Sequence, residues 1–538
     1  MFWADEIAAR AADTAGRGTP QVVNDSKTPS GTVHVGSLRG PVIHDEIWRA
    51  LRRTGMEATF RYGVDDLDPM DTQALLTPDA ADRYMGVPLA HVPPPEGSAA
   101  PSYARHFVGE LFLSTFQPLG LHPEVYWMSE VYAAGDMDRF IRAALDAAEA
   151  IRTIYREVSR VEKEPGWLPL SVICDNCGRI GTTIATDWDG ETVAYGCRPD
   201  AVEWATGCGF IGRATPFGGR AKLPFNVDWA AKWSLFGITI EGCGKDLATA
   251  GGSRDRSDAI ARSVFDREPP LNVPYEFITI GGRKMSTSRG RGVAAHEIAA
   301  VMPPNELRML FVRHRPNVAL EFDPDQTDAI PRLIDEFDRL AAATAGRPVR
   351  GELPADAERV FAAALVSGDA DPAVEAAAYR PHFGHLALLV QVPGVDLPER
   401  VAAEKGSPLT ERELVILAER TAAVRAWLDS YAPPEARVQV ATDALPKAVA
   451  ALTDEQRAFL RSLANGLAVL PATGWVGEAL QSAVFATARE RGIAAGSAFA
   501  ALYAAFLGRS SGPRAGWLLA SLDRPFVVER LRVAGGAA

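Results

Sequence analysis

The stretch Gly282–Gly290, which reads GRKMSTSRG, places a lysine and several hydroxyl side chains between glycines. The hydroxyl groups are those of Ser286, Thr287 and Ser288. The aromatic and β-branched run just before it, Pro274–Gly282, is typical of a strand. A cationic, hydroxyl-rich loop directly after a strand is unusual for ordinary structure, which makes it a candidate for chemistry. The alternative is an ordinary solvated surface loop.

A second glycine-bearing stretch, Pro29–Ser37 (PSGTVHVGS), follows a short apolar run and precedes a helical pattern. Backbone N–H groups and the helix dipole favour phosphate at such a place. Gly31 and Gly36 lack a β-carbon, so a base or ribose can approach the backbone closely. His34 can donate a hydrogen bond to a phosphate oxygen in a transition state; the alternative is a tight turn with His34 as a polar cap. The stretch is neither a P-loop nor a G-x-G-x-x-G fingerprint.

Cysteines are the third candidate group, because four of the five in the chain fall in one short region. These four are Cys174, Cys177, Cys197 and Cys208. A C-x-x-C pair followed by two more cysteines suits a tetrahedral zinc site, and Cys197 is the least secure ligand because ten residues separate it from Cys208. The alternative is a set of buried free thiols. Cys243 lies apart and is interpreted as a core thiol.

The composition sets limits on the kind of protein. The chain has 538 residues, 47% of them hydrophobic, and a formal net charge of −12 with a pI near 5.4. This net negative charge argues against a protein that coats nucleic acid, DNA included, through its overall charge. A local basic face is still compatible with an acidic protein. No apolar run approaches the ~20 residues of a membrane span, and the N-terminus does not resemble a signal peptide. We therefore expect a cytoplasmic protein without a membrane partner.

Alternating strand and helix patterns predict a parallel α/β sheet that an insertion interrupts, with a helical C-terminal part. Asp65, Asp66 and Asp68 end one predicted strand. These carboxylates suggest either a metal site or helix caps, and capping is the preferred interpretation. The predicted boundaries are 1–90 and 221–290 for the two halves of the α/β domain, 91–220 for the insertion, 291–330 for a junction and 331–538 for the helical domain.

The two glycine-bearing motifs together resemble the signatures of class I aminoacyl-tRNA synthetases, H-I-G-H and K-M-S-K-S. Here they read His34-Val35-Gly36-Ser37 and Lys284-Met285-Ser286-Thr287-Ser288. Further stretches are similar to class I lysyl-tRNA synthetase in particular. They are LPFNVDWAAKW (223–233), GKDLATAGGSRD (244–255), PPLNVPYEFI, RPNVALEFDPD (315–325) and FGHLALLVQ (383–391). The resemblance covers nearly the whole chain and is thinner beyond residue 330.

This resemblance implies a Rossmann-like catalytic domain, a zinc-ribbon insertion with structural zinc, and an all-α domain that binds the anticodon. It implies a ligase that joins L-lysine to tRNA through lysyl-adenylate, using ATP with Mg²⁺ and forming AMP and diphosphate. The implied catalytic residues are His34, Lys284 and Ser286. The implied ATP-binding residues are Pro29, Ser30, Gly31, His34, Gly36, Ser37, Gly251, Gly252, Asp255, Lys284, Met285, Ser286, Thr287 and Ser288.

Selecting lysine requires a negative or polar partner for its ammonium and an aromatic wall for its methylenes. The candidates are Asp228, Trp229, Asp246 and Tyr275, with Trp233 more typical of a core residue. Phe225 stands where the family often has tryptophan, and Leu247 where many members have histidine. Thr287 replaces the second lysine of K-M-S-K-S, and Arg289 could supply the charge.

Two other functions remain open at this point. One is a synthetase-like paralogue that activates lysine or another amino acid for a non-translational acceptor. The other is an RNA-binding protein that has lost catalysis. Near the junction, Arg308, Arg313 and Arg315 are candidates for contact with the tRNA backbone, and a solvated charged face is the alternative.

Overall fold

The computed structural model describes residues 1–16, 18–72, 77–285, 292–392, 395–471 and 474–536. The chain divides into two compact units. The first comprises Met1–Ala299, Pro304–Phe322 and Gly351–Pro372; the second comprises Ala300–Pro303, Asp323–Arg350 and Ala373–Ala538. The segment 351–372 thus packs with the first unit, although it lies beyond residue 330. The predicted division into these five segments stays a prediction.

The strands of the described residues all lie in the first unit. They are β1 (Gln21–Lys27), β2 (Ala58–Val64), β3 (Glu124–Trp127), β4 (Ser171–Val172), β5 (Thr183–Trp188), β6 (Val193–Cys197), β7 (Ile211–Ala214), β8 (Ala221–Lys222), β9 (Ile240–Glu241), β10 (Ile278–Ile280), β11 (Arg283–Lys284) and β12 (Leu320–Glu321).

The helices of the first unit surround these strands. They are α1 (Trp3–Ala15), α2 (Arg39–Arg53), α3 (Pro78–Tyr84), α4 (Met128–Ala133), α5 (Asp138–Asp146), α6 (Ala148–Ser159), α7 (Phe225–Phe236), α8 (Ser253–Phe265), α9 (Ala295–Val301), whose last residues belong to the second unit, α10 (Pro304–Val312) and α12 (Ala357–Ala364).

Helices make up the regular structure described in the second unit. They are α11 (Ala329–Thr344), α13 (Pro372–Ala377), α14 (Phe383–Leu389), α15 (Leu397–Lys405), α16 (Glu411–Ser430), α17 (Asp454–Ala468), α18 (Gly477–Glu490), α19 (Ala495–Leu507), α20 (Ala515–Ser521) and α21 (Arg524–Ala534). Their starts are encoded locally: Thr410 and Glu413 form a capping box at α16, which satisfies otherwise unpaired N–H groups. The predicted all-helical C-terminal part is confirmed.

The central sheet has the order β3-β2-β1-β9, and every pair in it is parallel. Helix α2 supplies the crossover from β1 to β2 and buries an apolar face that includes Ile43, Ile47 and Leu51. It ends before Gly55, whose φ of +81° is typical of a glycine that terminates a helix. The parallel α/β sheet predicted from the sequence is confirmed. Strand β3 was not predicted, because four residues within a helical pattern leave little periodicity to detect.

The insertion leaves and rejoins the sheet through a short ribbon in which β4 pairs antiparallel with β8. Beyond the ribbon, β5, β6 and β7 form a separate antiparallel sheet. Because β8 leads directly into α7, the base of the insertion determines where Lys222 and the first residues of α7 lie.

Candidate active site

A cleft of about 480 Å³ opens beyond the carboxyl ends of β1 and β2. Thr28 and Ser30 line it after β1, Asp68 lines it after β2, and Lys222 and Phe225 line it from the end of the insertion. Parallel strands direct their carboxyl ends to one edge of a sheet, and ligands of open α/β sheets bind there. The cleft therefore lies where the fold places a small-molecule site.

The turn after β1 is fixed by backbone hydrogen bonds to a segment that is distant along the chain. His34 has extended backbone and forms an antiparallel bridge with Ala294. On either side, Val35 N–H donates to the Val293 oxygen and Ala295 N–H donates to the Val33 oxygen, both at 2.8 Å. Residues 35–38 then form a 3₁₀ turn that leads into α2. This pairing presents the half-buried His34 next to the turn that was predicted to bind phosphate.

Gly292 brings the two sequence motifs together. Its φ is +127°, and a β-carbon there would lie 3.2 Å from the His34 Cβ and 3.4 Å from the Met285 Cβ. Lys284, directly before Met285, ends β11, and its backbone pairs with Thr279 of β10. The second motif thus begins beside His34, although more than two hundred residues separate them along the chain. Ser286, Thr287, Ser288 and Arg289 lie outside the described residues.

The glycine pair Gly251 and Gly252 lies at the start of α8. Gly251 N–H donates to the Asp255 carboxylate at 2.7 Å, so Asp255 closes the first turn of its own helix. A β-carbon on Gly252 would lie only 2.6 Å from the Thr249 oxygen, which explains the glycine. The local geometry is that of a helix-start turn, and adenosine binding by these residues stays a prediction.

Tyr275 lies on an extended segment that runs beside Gly244, and Asp246 lies in the turn that follows Gly244. Gly244 forms a parallel bridge with Tyr275, and Lys245 N–H donates to the Tyr275 oxygen at 2.9 Å. A β-carbon on Gly40, in the first turn of α2, would collide with both the Asp25 carboxylate and the Tyr275 hydroxyl. These groups therefore meet at the start of α2, where only glycine fits.

Asp228 lies in a buried charge cluster, which we define as Asp65, Asp68, Asp228, Lys222 and Lys232. The Lys232 Nζ lies 2.7 Å from Asp65 and 3.6 Å from Asp228. The Lys222 Nζ lies 3.0 Å from Asp68 and 3.9 Å from Asp228. Burial alone would lower the pKa of Lys222, but Asp228 and Asp68 raise it above its ordinary value. The two lysines and three aspartates of the cluster therefore stabilise one another through opposite charge.

Trp229 is buried behind the cleft and not in it. Its ring stacks on Phe225 with centroids 5.4 Å apart, and Phe225, 39% exposed, faces the cleft. The fully buried Trp233 donates from Nε1 to Glu241 at 2.5 Å, as expected of a core residue. Phe225 is thus the exposed part of an aromatic wall that Trp229 supports.

Several other charged residues cap a helix or form buried ion pairs, and the sequence analysis predicted these roles only in part. Asp66 accepts from the Ser129 N–H in the first turn of α4 at 2.8 Å and so caps a helix, whereas Asp65 and Asp68 pair with lysines. Lys222 and Lys232 were missed, although Asp228 and Lys232 have the i, i+4 spacing of a helical ion pair. Arg308 is fully buried and pairs with Asp45 and Glu46, so the hypothesis that it contacts tRNA is wrong.

The four clustered cysteines converge at one point. The Cys174 and Cys208 sulfurs lie 3.7 Å apart, as do those of Cys177 and Cys197. All four sulfurs lie within 4.8 Å of one another. A tetrahedral zinc with Zn–S bonds of about 2.3 Å requires S–S edges of about 3.8 Å. The geometry therefore fits a Cys₄ zinc site that includes Cys197. Cys243 lies outside the group, against Asn272.

Comparison with known proteins agrees with this arrangement. The family tRNA synthetases class I (K) matches residues 1–362, and the family anticodon binding domain matches residues 412–535. The chain belongs to the class I tRNA synthetases.

Several relatives of this class I synthetase match over its whole length. A lysine--tRNA ligase of Methanosarcina barkeri (strain Fusaro / DSM 804) is 33% identical over 555 residues, covering 99% of this chain and 98% of the relative. A lysine--tRNA ligase of Archaeoglobus fulgidus is 33% identical over 537 residues, covering 99% and 100%. Among solved structures, a glutamate tRNA ligase from Elizabethkingia meningosepticum is similar with a TM-score of 0.40 at 12% identity, covering 96% of this chain and 99% of that one.

In this synthetase, no helix of the described residues is both long and apolar enough to cross a membrane.

Asp25 makes the stability of the synthetase depend on pH. Burial raises the pKa of its carboxyl from 3.8 to about 7. Because the folded-state pKa is the higher one, folding opposes ionisation, and the free energy of unfolding falls as pH rises from about 4 to about 7. We expect Asp25→Asn to stabilise the protein at pH 8, by up to ~4 kcal/mol, and much less at pH 5. Thermal unfolding at both pH values measures this, with exposed Asp13→Asn as control. An equal effect of Asp25→Asn at both pH values would contradict the assignment.

Proposed function

We propose that this class I synthetase attaches L-lysine to tRNA at the expense of ATP. The observation that carries the proposal is that His34 and Met285 both lie against Gly292, which brings the two motifs together after the carboxyl end of β1. The full-length relatives named lysine--tRNA ligase support the choice of amino acid. The match of residues 412–535 to an anticodon binding domain supports tRNA as the acceptor.

In the proposed reaction the carboxylate of lysine attacks the α-phosphorus of ATP, and diphosphate leaves to give lysyl-adenylate. A ribose hydroxyl of the terminal adenosine of tRNA then attacks the lysyl carbonyl, and AMP leaves. Such phosphoryl chemistry needs alignment and charge neutralisation more than covalent help. His34 donates to the phosphate that gains charge, and Lys284 and Ser286 close over the diphosphate. Mg²⁺ accompanies the ATP phosphates.

Two features of the cleft support lysine as the amino acid. The half-exposed Phe225 offers an aromatic face for the methylenes. Asp68 supplies negative charge at the cleft, where it accepts from Thr28 at 2.7 Å and pairs with Lys222. Asp228 and Trp229 act indirectly. Asp228 pairs with Lys222, and Trp229 supports the ring of Phe225. Asp246 and Tyr275 remain proposed contacts from the neighbouring segments.

We further propose that the four-cysteine group holds structural zinc and that the protein works in the cytoplasm. The zinc ties the β5–β6–β7 sheet to the turn after β4, since Cys174 and Cys177 lie on that turn and Cys197 ends β6. The neighbouring residues Ile180 and Gly181 line the cleft. Zinc thus stabilises one side of the active site and takes no part in the chemistry.

Two cysteine variants, one within the four-cysteine group and one outside it, test zinc binding. We expect the purified protein to carry one zinc per chain, and Cys197→Ser to lose most of it because three thiolates cannot complete the tetrahedron. Cys243→Ser should keep the full zinc content, because Cys243 lies outside the group. Metal analysis and native mass spectrometry measure both. Full zinc in Cys197→Ser, or no zinc in the parent protein purified without chelator, would contradict the assignment.

The proposed function is tested by exchange of labelled diphosphate into ATP with each of the twenty amino acids, with and without tRNA. Exchange with lysine, followed by lysyl-tRNA formation, is the expected result. We expect exchange to require tRNA, as the family resemblance implies. Exchange with a different amino acid would replace the proposal by the paralogue alternative, and Phe225 and Leu247 would be the first residues to change. No exchange with any amino acid would indicate a protein without synthetase activity.

A further inference from the structure

Lys222 places an ammonium group of the protein itself at the proposed lysine site. It ends β8 and lines the cleft, and its Nζ lies 3.0 Å from the Asp68 carboxylate. Its other hydrogen bond, to the backbone oxygen of Leu223, is long at 3.4 Å. Asp68 is the carboxylate that the proposed function assigns to the ammonium of the substrate. Lys222 therefore occupies the partner that a bound lysine needs.

The Thr28 hydroxyl already holds one oxygen of Asp68. It donates to Asp68 Oδ2 at 2.7 Å, and the Lys222 Nζ faces Oδ1. Because Thr28 lines the same cleft, this hydrogen bond fixes the orientation of the carboxylate there. Two ammonium groups at the remaining oxygen would repel each other. A substrate ammonium that binds Asp68 closely therefore requires Lys222 to move away.

Asp228 offers Lys222 a second partner. The Lys222 Nζ lies 3.9 Å from Asp228 Oδ2. The Lys232 Nζ lies 3.6 Å from the same oxygen and is closer to Asp65, at 2.7 Å. Both distances to Asp228 exceed the range of about 2.7–3.2 Å for an N–H···O hydrogen bond, and a displacement of about 1 Å would bring Lys222 within that range. Asp228 Oδ2 can thus accept a full hydrogen bond from Lys222.

The charges of the buried cluster are incomplete without a substrate. The cluster has three carboxylates but only two ammonium groups. Burial raises the pKa of Asp228, as expected of a carboxylate whose two cations lie closer to other partners. Asp71 adds a further carboxylate to the lining of the cleft. A third ammonium would complete the pairing, because Asp68 then binds the new cation and Asp228 binds Lys222.

We propose that Lys222 is a specificity-determining residue, which leaves Asp68 when the side-chain ammonium of the substrate binds there and moves to Asp228. The inference rests on the proposed function, because it takes lysine as the substrate. A neutral amino acid of the same length brings no cation to Asp68, so it does not displace Lys222. The exchange of one ammonium for another therefore favours lysine over neutral amino acids.

The first test removes the competing ammonium. We expect Lys222→Met to lower KM for lysine about fivefold, because the substrate no longer has to displace a charged partner of Asp68. Norleucine, which is lysine without its ε-amino group, should inhibit the parent and the variant with the same Ki. Exposed Lys447→Met is the matched control and should keep the KM of the parent. Lysyl-tRNA formation measures KM, and thermal unfolding with and without lysine shows that each variant is folded.

The second test removes the place to which Lys222 moves. Asp228→Asn should raise KM for lysine about tenfold, since a charge-assisted hydrogen bond is lost from the lysine complex. In the Lys222→Met background the same change should alter KM by less than about twofold, because no ammonium then needs that place. A purely structural or long-range electrostatic role of Asp228 would raise KM equally in both backgrounds, and this result would overturn the inference.

A crystal structure of the full-length protein with L-lysine tests the movement directly, even where Lys222→Met does not fold. The substrate ammonium should lie at Asp68, with the Lys222 Nζ within about 3 Å of Asp228. A bound lysine that leaves Lys222 on Asp68 would overturn the inference, as would an unchanged or higher KM for lysine in folded Lys222→Met. A parent enzyme that forms neither lysyl-adenylate nor lysyl-tRNA would instead overturn the proposed function.

Discussion

His34→Ala is expected to lower the rate of lysyl-adenylate formation by about 10²–10³-fold, the loss seen when one preorganised donor to a developing oxyanion is removed. Backbone pairing with Ala294 and contact with Gly292 hold His34 in place, so its ring is positioned before ATP arrives. The effect should fall on kcat, with little change in KM for lysine, because the hydrogen bond strengthens only as charge develops.

Single-turnover adenylate formation measures this rate directly. His34→Asn, which can still donate from its amide, should recover part of the loss. His91→Ala removes an exposed histidine that does not line the cleft and should leave the rate unchanged. Thermal unfolding of each variant separates lost catalysis from lost folding. A His34→Ala enzyme within about threefold of the parent would exclude His34 from the charge stabilisation proposed here.

Lys232→Met is expected to destabilise the protein by about 3–5 kcal/mol, the usual result of removing one partner from a buried ion pair. Lys232 is 1% exposed, and its loss leaves the Asp65 and Asp228 carboxylates in the interior with only Lys222 to compensate them. Burial raises the pKa of Asp228, and Lys222 and Lys232 oppose that rise. The variant should therefore also lose its stability more steeply as pH rises.

The matched control is Lys245→Met, because Lys245 pairs with Glu276 at 2.6 Å but is 51% exposed. Exposed pairs contribute about 0–1 kcal/mol, so this variant should unfold almost as the parent does. Adding Asp65→Asn to Lys232→Met should recover part of the lost stability, since it removes one of the unpaired charges. Equal stability of the two lysine variants would show that the cluster does not contribute as described.

Local patterns in the sequence were sufficient for much of the architecture. The apolar spacing of α2 and its glycine stop come from interactions within a few residues, as do the capping box of α16 and the C-x-x-C turn at Cys174. Such features depend on backbone geometry and side chains that are neighbours along the chain. The helical pattern after Ser37 and the C-x-x-C pair were predicted for that reason, whereas the capping box was not. The parallel sheet followed from the order of the strand and helix patterns. The two motifs were also recognisable from residue types alone.

Only the tertiary structure decided which of these groups meet. His34 reaches Met285 because Val33 and Val35 pair with the 293–295 backbone, a long-range contact that periodicity does not encode. Asp228 was a candidate for binding substrate, yet it faces Lys222, Lys232 and Tyr132 in the interior. Residue type shows that a charge must have a partner. Which partner it has, and whether the pair is buried, depends on how distant segments pack.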